Sequence, residues 1–262
     1  MTPVAIIITR HQNPDPMVAA LAPHLPVVIS YDTPTPEEWA DAEKLDASSL
    51  AVSITRFDRS VPGFFAGANR NAGLAAARKL YPQATHYFFF DGDRVPDVFD
   101  YFYIDRLLRD YNADCCLFTC KEGDTRPIRR AGQIHGVVDT GCMVSAFYSC
   151  GFVLSRTACE KVMAANDGAL FHPAFNGIWG EEDKFLGIQL DNLGFKTIFS
   201  ASPRLGGKAL TDAQLVANYE ISLQRRISLM QKYGYPLRPF DKYARLTYEN
   251  GRPIAVYIGE IR

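Results

Sequence analysis

The chain has 262 residues, 47% of them hydrophobic and 22% charged, with a formal net charge of -1 at pH 7. This composition supplies enough apolar material for one principal core, and the near-neutral charge excludes a global field that would attract a polyanion. The six cysteines lack the spacing of a disulfide scaffold or a zinc site, and the apolar runs are too short for a signal peptide or membrane span, so we expect a soluble, cytoplasmic protein.

Strands and helices alternate through the first half of the chain. Val4–Thr9 is a continuous, isoleucine-rich run followed by a polar loop, which is typical of a strand buried on both faces. The alternation predicts an α/β fold with a doubly wound, mostly parallel central sheet and helices on both faces. In chain order the predicted elements are strand Val4–Thr9, helix Asp15–Ala22, strand Pro26–Tyr31, helix Thr35–Leu45, strand Leu50–Thr55, a helix that begins near Asn71, and strand His86–Asp91.

The second half is less regular, and a polar loop rich in arginine and glycine extends to about Gly141. The Asn250-Gly251 pair near the end of the chain indicates a β-hairpin. Without an internal repeat or a low-complexity linker, residues 1–262 are expected to form a single domain. The further predicted elements are helix Phe99–Tyr111, strand Asp114–Thr119, strand Tyr148–Leu154, helix Ser155–Ala165, helix Glu182–Leu193, strand Lys196–Ser200 and helix Thr211–Lys232.

Polar residues follow several of the predicted strands. Because ligands of such sheets gather at the carboxyl ends of the strands, Thr9, Arg10, Asp32 and Asp91 are expected to converge on one crevice. The sequence Asp91-Gly92-Asp93 delivers two carboxylates one residue apart after an apolar strand. Such a pair can hold Mg2+ or Mn2+, and Gly92 would let the backbone approach a ligand closely. An Asp-Gly turn with solvated carboxylates is the alternative.

Three consecutive acids open the predicted helix at Glu182, in the sequence Trp179-Gly180-Glu181-Glu182-Asp183. Acids in a first helical turn are favoured by the helix dipole, so simple capping is one interpretation. The aromatic residue beside a glycine and a carboxylate favours another. An indole face can stack on a sugar ring while the acids bind its hydroxyl groups.

In this combination the sequence resembles the GT-A glycosyltransferases, above all the large inverting family that includes bacterial polysaccharide and processive synthases. It also resembles the β-1,4-galactosyltransferases, but more weakly. The resemblance covers about residues 4–207 and rests on the first strand with its polar loop, Arg70-Asn71-Ala72-Gly73, the Asp91-Gly92-Asp93 motif, and the acidic motif before Leu193-Gly194-Phe195-Lys196. It implies a GT-A fold with a nucleotide-sugar-binding half (1–100), an acceptor and catalytic half (101–210), and a C-terminal helix and hairpin (211–262).

The resemblance also implies a role for each motif residue. Asp183 matches the catalytic base, and Asp93 matches an aspartate that binds the metal directly, while Asp91 contacts the donor ribose or the metal through water. Asn71 is expected to cap the helix that follows it. The donor-binding residues implied are Thr9, Arg10, Asp32, Arg70, Asn71, Asp91, Gly92 and Asp93, and those implied for the acceptor are Trp179, Gly180, Glu181 and Glu182.

These parts suit transfer of a sugar from a nucleotide sugar to a hydroxyl group. A carboxylate must take the proton of a hydroxyl whose pKa is far above neutrality, and a cation would neutralise the leaving diphosphate. One base and one in-line displacement predict inversion, and the resemblance favours UDP. Many relatives supply a further metal ligand, often a histidine, after the acidic motif. Here no histidine follows His172, so the third metal ligand stays open. Water and phosphate could complete the shell, or Arg204 and Lys208 could partly replace the cation.

Two other functions remain open on the sequence alone. A nucleotidyltransferase that makes nucleotide sugars uses a similar sheet, although the loop after the first strand lacks the glycine-rich phosphate signature. A non-catalytic sugar- or nucleotide-binding module is the second. The acceptor could be a saccharide, the leading candidate, or a lipid-linked intermediate, a protein or a modified nucleic-acid base. For a polyanionic acceptor the relevant residues would be Arg126, Arg129, Arg130, Arg225 and Arg226, which could equally be solvated surface.

Overall fold

The computed structural model describes residues 1–48, 51–59, 61–120, 136–138, 151–178, 180–206, 219–235, 244–249 and 252–257. The strands are β1 (Pro3–Thr9), β2 (Val27–Asp32), β3 (Val52–Phe57), β4 (His86–Asp91), β5 (Cys115–Cys120), β6 (Gly136–Val138), β7 (Gly151–Ser155), β8 (Thr197–Leu205), β9 (Ala244–Glu249) and β10 (Arg252–Tyr257). The helices are α1 (Asp15–Leu21), α2 (Pro36–Ser48), α3 (Ala66–Leu80), α4 (Tyr101–Asp110), α5 (Arg156–Ala165), α6 (Glu182–Asn192) and α7 (Tyr219–Tyr233), with a 3-10 turn at Pro173–Phe175.

Eight strands form the central sheet in the order β3-β2-β1-β4-β7-β5-β8-β6. Within this sheet, among the described residues, the named strands pair in parallel except for β7, which pairs antiparallel with β4 and β5. The predicted doubly wound, mostly parallel α/β sheet is therefore confirmed. Strands β9 and β10 pair as the predicted antiparallel hairpin, whose turn residues Asn250 and Gly251 lie outside the described residues.

Side chains of the central strands alternate between two apolar layers, as a pleated sheet requires. Ile6 and Phe89 face a layer that contains Leu74 of α3 and Leu186 of α6. Their neighbours Ile7 and Phe88 face the opposite layer, which contains Met17 of α1 and Ile104 of α4. Both sheet faces are thus covered by helices, which explains why the strands are apolar at nearly every position.

Several predicted boundaries differ from the structure by a few residues, and the largest differences concern α3 and β8. Helix α3 begins at Ala66, not near Asn71, because packing overrides the weak helix propensity of its glycine- and asparagine-containing first turns. A Cβ atom at Gly73, for instance, would lie 2.6 Å from Cγ2 of Ile6, so helix and sheet approach closely. Strand β8 continues to Leu205, beyond the predicted end at Ser200, and the short strand β6 lies in a stretch predicted to be loop.

The sheet order explains how the polar strand ends meet. Strand β1 lies between β2 and β4 and runs parallel to both. In this register Thr9 lies beside Tyr31, and Ile8 lies beside Asp91. The ends of three neighbouring strands therefore open onto the same edge, where Thr9, Asp32 and Asp91 follow the apolar core.

Candidate active site

The first part of the site is a pocket of about 650 Å³ at the ends of β1 and β2. Residues of the β1–α1 loop and of α2 complete its wall, together with Thr9, Tyr31 and Asp32. Burial raises the pKa of Tyr31 to about 12, and nearby carboxylates, the first of them Asp15, add to this effect. The carboxylates of Asp15, Asp32, Glu38 and Asp41 line the pocket and make it rich in hydrogen-bond acceptors, whereas Arg10 is exposed and does not line it.

Asp32 is buried at the end of β2 and is held by two donors. The distance from Nε of Arg59 to Oδ1 of Asp32 is 2.9 Å, and the Thr33 hydroxyl donates to the same oxygen at 2.9 Å. Arg59 also donates to the Gly63 carbonyl at 2.5 Å. No sequence motif marked Arg59, because it follows a strand in an ordinary charged loop. A charge-assisted pair of this kind fixes the carboxylate in one orientation.

Arg70 joins the two acidic motifs. It lies on α3 with only 2% of its surface exposed, and its guanidinium donates to Oδ1 of Asp91. The distance from its Nη1 atom to Oε1 of Glu182 is 3.9 Å. The guanidinium carbon also lies 5.3 Å from the centre of the Phe171 ring, within the range of a cation–π contact. One buried cation therefore links the end of β4 with the beginning of α6.

The Asp91-Gly92-Asp93 turn presents its two carboxylates differently. Burial raises the pKa of Asp91, and the Arg70 charge opposes this shift. Asp93 is exposed, with Oδ1 3.8 Å from Nε of Arg94. A Cβ atom at Gly92 would lie 2.9 Å from the Ile8 carbonyl oxygen, so a larger residue could not be accommodated without a shift. The glycine thus keeps the turn pressed against the end of β1.

These carboxylates fit a divalent cation only in part. Within the described ranges, no group of three His, Cys, Asp or Glu side chains could hold a metal ion. Mg2+ and similar cations, however, are commonly bound through one or two carboxylates together with substrate phosphates. Asp91 and Asp93 fit such a shared site, completed by a diphosphate and water. Lys208 and the side chain of Arg204, proposed as substitutes, lie outside the described residues.

The acidic motif begins α6 with three differently placed carboxyl groups. Glu181 is buried, and its carboxylate contacts Lys184 and Arg226. Glu182 is also buried, and its burial, followed by the nearby Asp183 charge, raises its pKa to about 8. Asp183 is half-buried. Burial raises its pKa, whereas Lys184 lowers it, and the Lys184 backbone N–H donates to its Oδ1 at 2.7 Å.

Asn71 does not cap a helix, contrary to the prediction, because it lies inside α3. Its side-chain amide instead donates to the Phe171 carbonyl at 2.8 Å and accepts from the Phe171 N–H at 2.9 Å. These two hydrogen bonds fix the backbone of Phe171, whose ring lies against Arg70. Asn71 therefore holds the backbone of Phe171 and does not itself cap a helix.

Other motif residues are also placed differently from the expectation. Glu181 is turned into the protein and ion-paired, which does not suit the acceptor contact expected of it. Arg226, considered for polyanion binding, is only 4% exposed. His172, which was not assigned to the metal, agrees with a structural role, since its Nε2 atom lies 3.2 Å from the Tyr233 hydroxyl. Trp179 and the loop arginines at 126, 129 and 130 lie outside the described residues.

Comparison with solved structures gives several neighbours of similar fold. S. aureus TarS 1-349 matches with a TM-score of 0.60 and 14% identity over 88% of this chain and 66% of that one. The same fragment in complex with UDP-GlcNAc matches with a TM-score of 0.58 and 14% identity, over 88% and 67%. The mannosyltransferase PcManGT from Pyrobaculum calidifontis, in complex with GDP-Man and Mn2+, matches with a TM-score of 0.57 and 12% identity, over 90% and 64%.

The chain thus spans about two thirds of the length of these neighbours. At 12–14% identity the likeness shows the fold, and it confirms the GT-A-type architecture expected from the sequence. No family model matches the sequence, and no curated protein sequence matches it. Within the described residues, every helix is too short or too polar to cross a lipid bilayer.

Proposed function

We propose that the protein is a glycosyltransferase that moves a sugar from a nucleotide-sugar donor to an acceptor hydroxyl. The observation that carries this proposal is the position of Arg70, which contacts Asp91 at the end of β4 and lies 3.9 Å from Glu182 beside Asp183. Arg70 thus connects a donor-side carboxylate with the residue next to the candidate base. The fold is that of TarS and PcManGT, whose structures contain UDP-GlcNAc and GDP-Man respectively.

The donor nucleoside would occupy the pocket at the ends of β1 and β2. A volume of about 650 Å³ is in the range of small-molecule sites. Asp32, oriented by Arg59, would accept hydrogen bonds from the base or the ribose, and Thr9 lines the same wall. Arg10, exposed on the loop after β1, would reach the nucleotide from outside. We propose UDP as the nucleotide.

The diphosphate would lie at the Asp91-Gly92-Asp93 turn, close to Arg70. Asp93, exposed to solvent, would hold Mn2+ or Mg2+ directly, and Asp91 would support it. When bound, such a cation supplies positive charge to the leaving diphosphate. Arg70 adds a second positive charge at the same edge. Gly92 has no side chain, so the phosphates could approach the backbone of the turn closely.

Asp183 would remove the proton of the acceptor hydroxyl. Its raised pKa, caused by burial, makes it a stronger base than an exposed aspartate, which suits proton abstraction from an alcohol. Glu182, buried beside it, would hold or orient the acceptor, as would Trp179 and Gly180. A single base opposite the leaving group leads to inversion at the anomeric carbon. We propose a saccharide acceptor.

Donor binding and donor use together test this function. A thermal-shift screen against UDP-, GDP-, CMP- and dTDP-sugars, with and without Mn2+, should give a rise in Tm with one nucleotide class, because ligands that bind only the native state stabilise it. Slow donor hydrolysis, with release of the nucleoside diphosphate, should then occur with the same compound.

Two results would contradict the proposal. Release of pyrophosphate from a nucleoside triphosphate and a sugar phosphate would identify a nucleotidyltransferase. Donor binding without hydrolysis, and without transfer to any saccharide acceptor, would identify a non-catalytic binding module.

A further inference from the structure

The backbone immediately before α6 has an uncommon conformation. Gly180 and Glu181 both have positive φ angles, 88° and 68° respectively. Glu181 is the N-cap residue of α6 and lies in the left-handed region, which is unfavourable for a residue other than glycine. Its side chain makes no capping hydrogen bond to the helix. Other contacts must therefore hold this turn, two residues before Asp183.

Helix α7 supplies contacts to both residues of the turn. The distance from Nε of Arg226 to Oε2 of Glu181 is 2.5 Å, and both side chains are almost fully buried. One helical turn earlier, the Ser222 hydroxyl donates to the Gly180 carbonyl. Residues four apart lie on the same face of a helix. One face of α7 therefore contacts both the side chain of Glu181 and the backbone of Gly180.

Apolar packing holds α7 in place independently of these two polar contacts. Leu229 and Met230 are buried against Phe175 of the 3-10 turn and against Phe185 and Ile188 of α6. Burying apolar side chains of this size contributes substantially to stability. The helix should consequently stay docked when a polar contact is removed, which allows the role of Arg226 to be separated from folding.

We propose that Arg226, assisted by Ser222, is a positioning residue that fixes the strained Gly180–Glu181 turn and thereby the position and orientation of the Asp183 carboxylate. This inference rests on the proposed function of Asp183. A buried ion pair alone is weak evidence for stability, but here it acts on a turn that the backbone would not otherwise favour. Small displacements of a reacting group can reduce turnover strongly, which gives the ion pair a catalytic consequence.

Charge provides a second measurable consequence. Arg226 compensates Glu181, whose negative charge raises the pKa of Asp183. Without Arg226, the Glu181 charge should act on Asp183 more strongly and raise this pKa further. The charged groups that face Asp183 are Glu182 and Lys184 on α6, Glu181 on the preceding turn, Arg70 on α3, and, beyond Arg70, Asp91 at the end of β4.

The test compares Arg226→Met with the matched control Arg225→Met, using sugar transfer from the donor identified by the thermal-shift screen. Arg225 is exposed on the same helix and donates to the Ala174 carbonyl, away from the acidic motif. Arg226→Met should lower kcat on the order of ten- to hundredfold, leave the donor KM within about twofold, and move the acidic limb of the pH profile upward by roughly half a unit to one unit. Arg225→Met should match wild type in all three.

The double variant Glu181→Gln/Arg226→Met separates position from charge and keeps the test valid if Arg226→Met does not fold, because both charges of the buried Arg226–Glu181 pair are removed together. Its acidic limb should return to the wild-type pH or below, while kcat stays low. A double variant as fast as wild type, or an Arg226→Met enzyme that behaves like Arg225→Met, would overturn the positioning role. Absence of transfer by the wild type itself would instead remove the proposed function, and this inference with it.

Discussion

The carboxylates at the strand ends and those at the start of α6 are arranged by different means. Asp32 and Asp91 come from different strands, so the sheet holds them apart, and each is paired with one arginine from a nearby loop or helix. In the acidic motif, three acids follow one another, and cations from α3, α6 and α7 surround them: Arg70, Lys184 and Arg226.

This difference in arrangement suggests a division of work. Separated acids with fixed orientations suit recognition of a ligand, because their hydrogen-bonding geometry is set in advance. Crowded and buried acids compete for protons, and the pKa values of Glu182 and Asp183 are both raised, first by burial. We therefore expect substitutions at the strand ends to change donor binding, and those in the acidic motif to change turnover and its pH dependence.

The largest effect is expected for Asp183→Asn, which keeps the shape of the side chain but removes the base. Transfer should fall by about 10²–10⁴-fold, the usual contribution of general base catalysis. Donor affinity, measured by calorimetry with the donor nucleotide, should stay within about twofold of wild type, since the group acts only in the transition state. Equal loss of binding and turnover would mean that Asp183 belongs to the donor site.

A smaller and different effect is expected for Asp93→Ala at the end of β4. Donor binding should weaken by about tenfold, equivalent to about 1.4 kcal/mol, and the stimulation by Mn2+ should disappear because the exposed ligand is lost. Asp97→Ala, which removes another exposed aspartate four residues further along the chain, is the control and should retain the Mn2+ response. An unchanged response in Asp93→Ala would place the metal elsewhere.

The smallest effect is expected for Glu182→Gln and concerns stability. The folded-state pKa of Glu182 is raised to about 8 from an ordinary value of 4.5, so between these pH values the folded protein holds more protons than the unfolded chain. The free energy of unfolding therefore decreases as pH rises through this window. Glutamine is neutral throughout, so the variant should gain on the order of 1 kcal/mol at pH 8, or about 2–4 °C in Tm.

Differential scanning calorimetry at pH 5 and pH 8 would measure this gain. The advantage of Glu182→Gln should be much smaller at pH 5 than at pH 8, because pH 5 lies just above the ordinary pKa of 4.5, where the loss of stability only begins to accumulate. A variant less stable than wild type at pH 8 would show that the charged carboxylate is stabilised by Arg70 more than burial penalises it.

The sequence by itself determined the layout of the fold. Apolar runs such as Val4–Thr9 and His86–Asp91 specify strands buried on both faces, since their hydrophobicity leaves no solvent face. Polar residues directly after these runs must lie at the sheet edge, so the convergence of Thr9, Asp32 and Asp91 followed from local pattern and parallel order. Propensity was a poorer guide where packing decides, as at the start of α3 near Asn71.

Only the tertiary structure decided which charges face one another. The pairing of Arg70 with Asp91 joins residues 21 apart, and that of Arg226 with Glu181 joins two helices that meet only after folding. The local sequence does not distinguish an arginine that is exposed to solvent from one that is buried in an ion pair with a carboxylate. Burial and ion pairing depend on distances between separate elements, and those distances arise only when the sheet and its helices are packed.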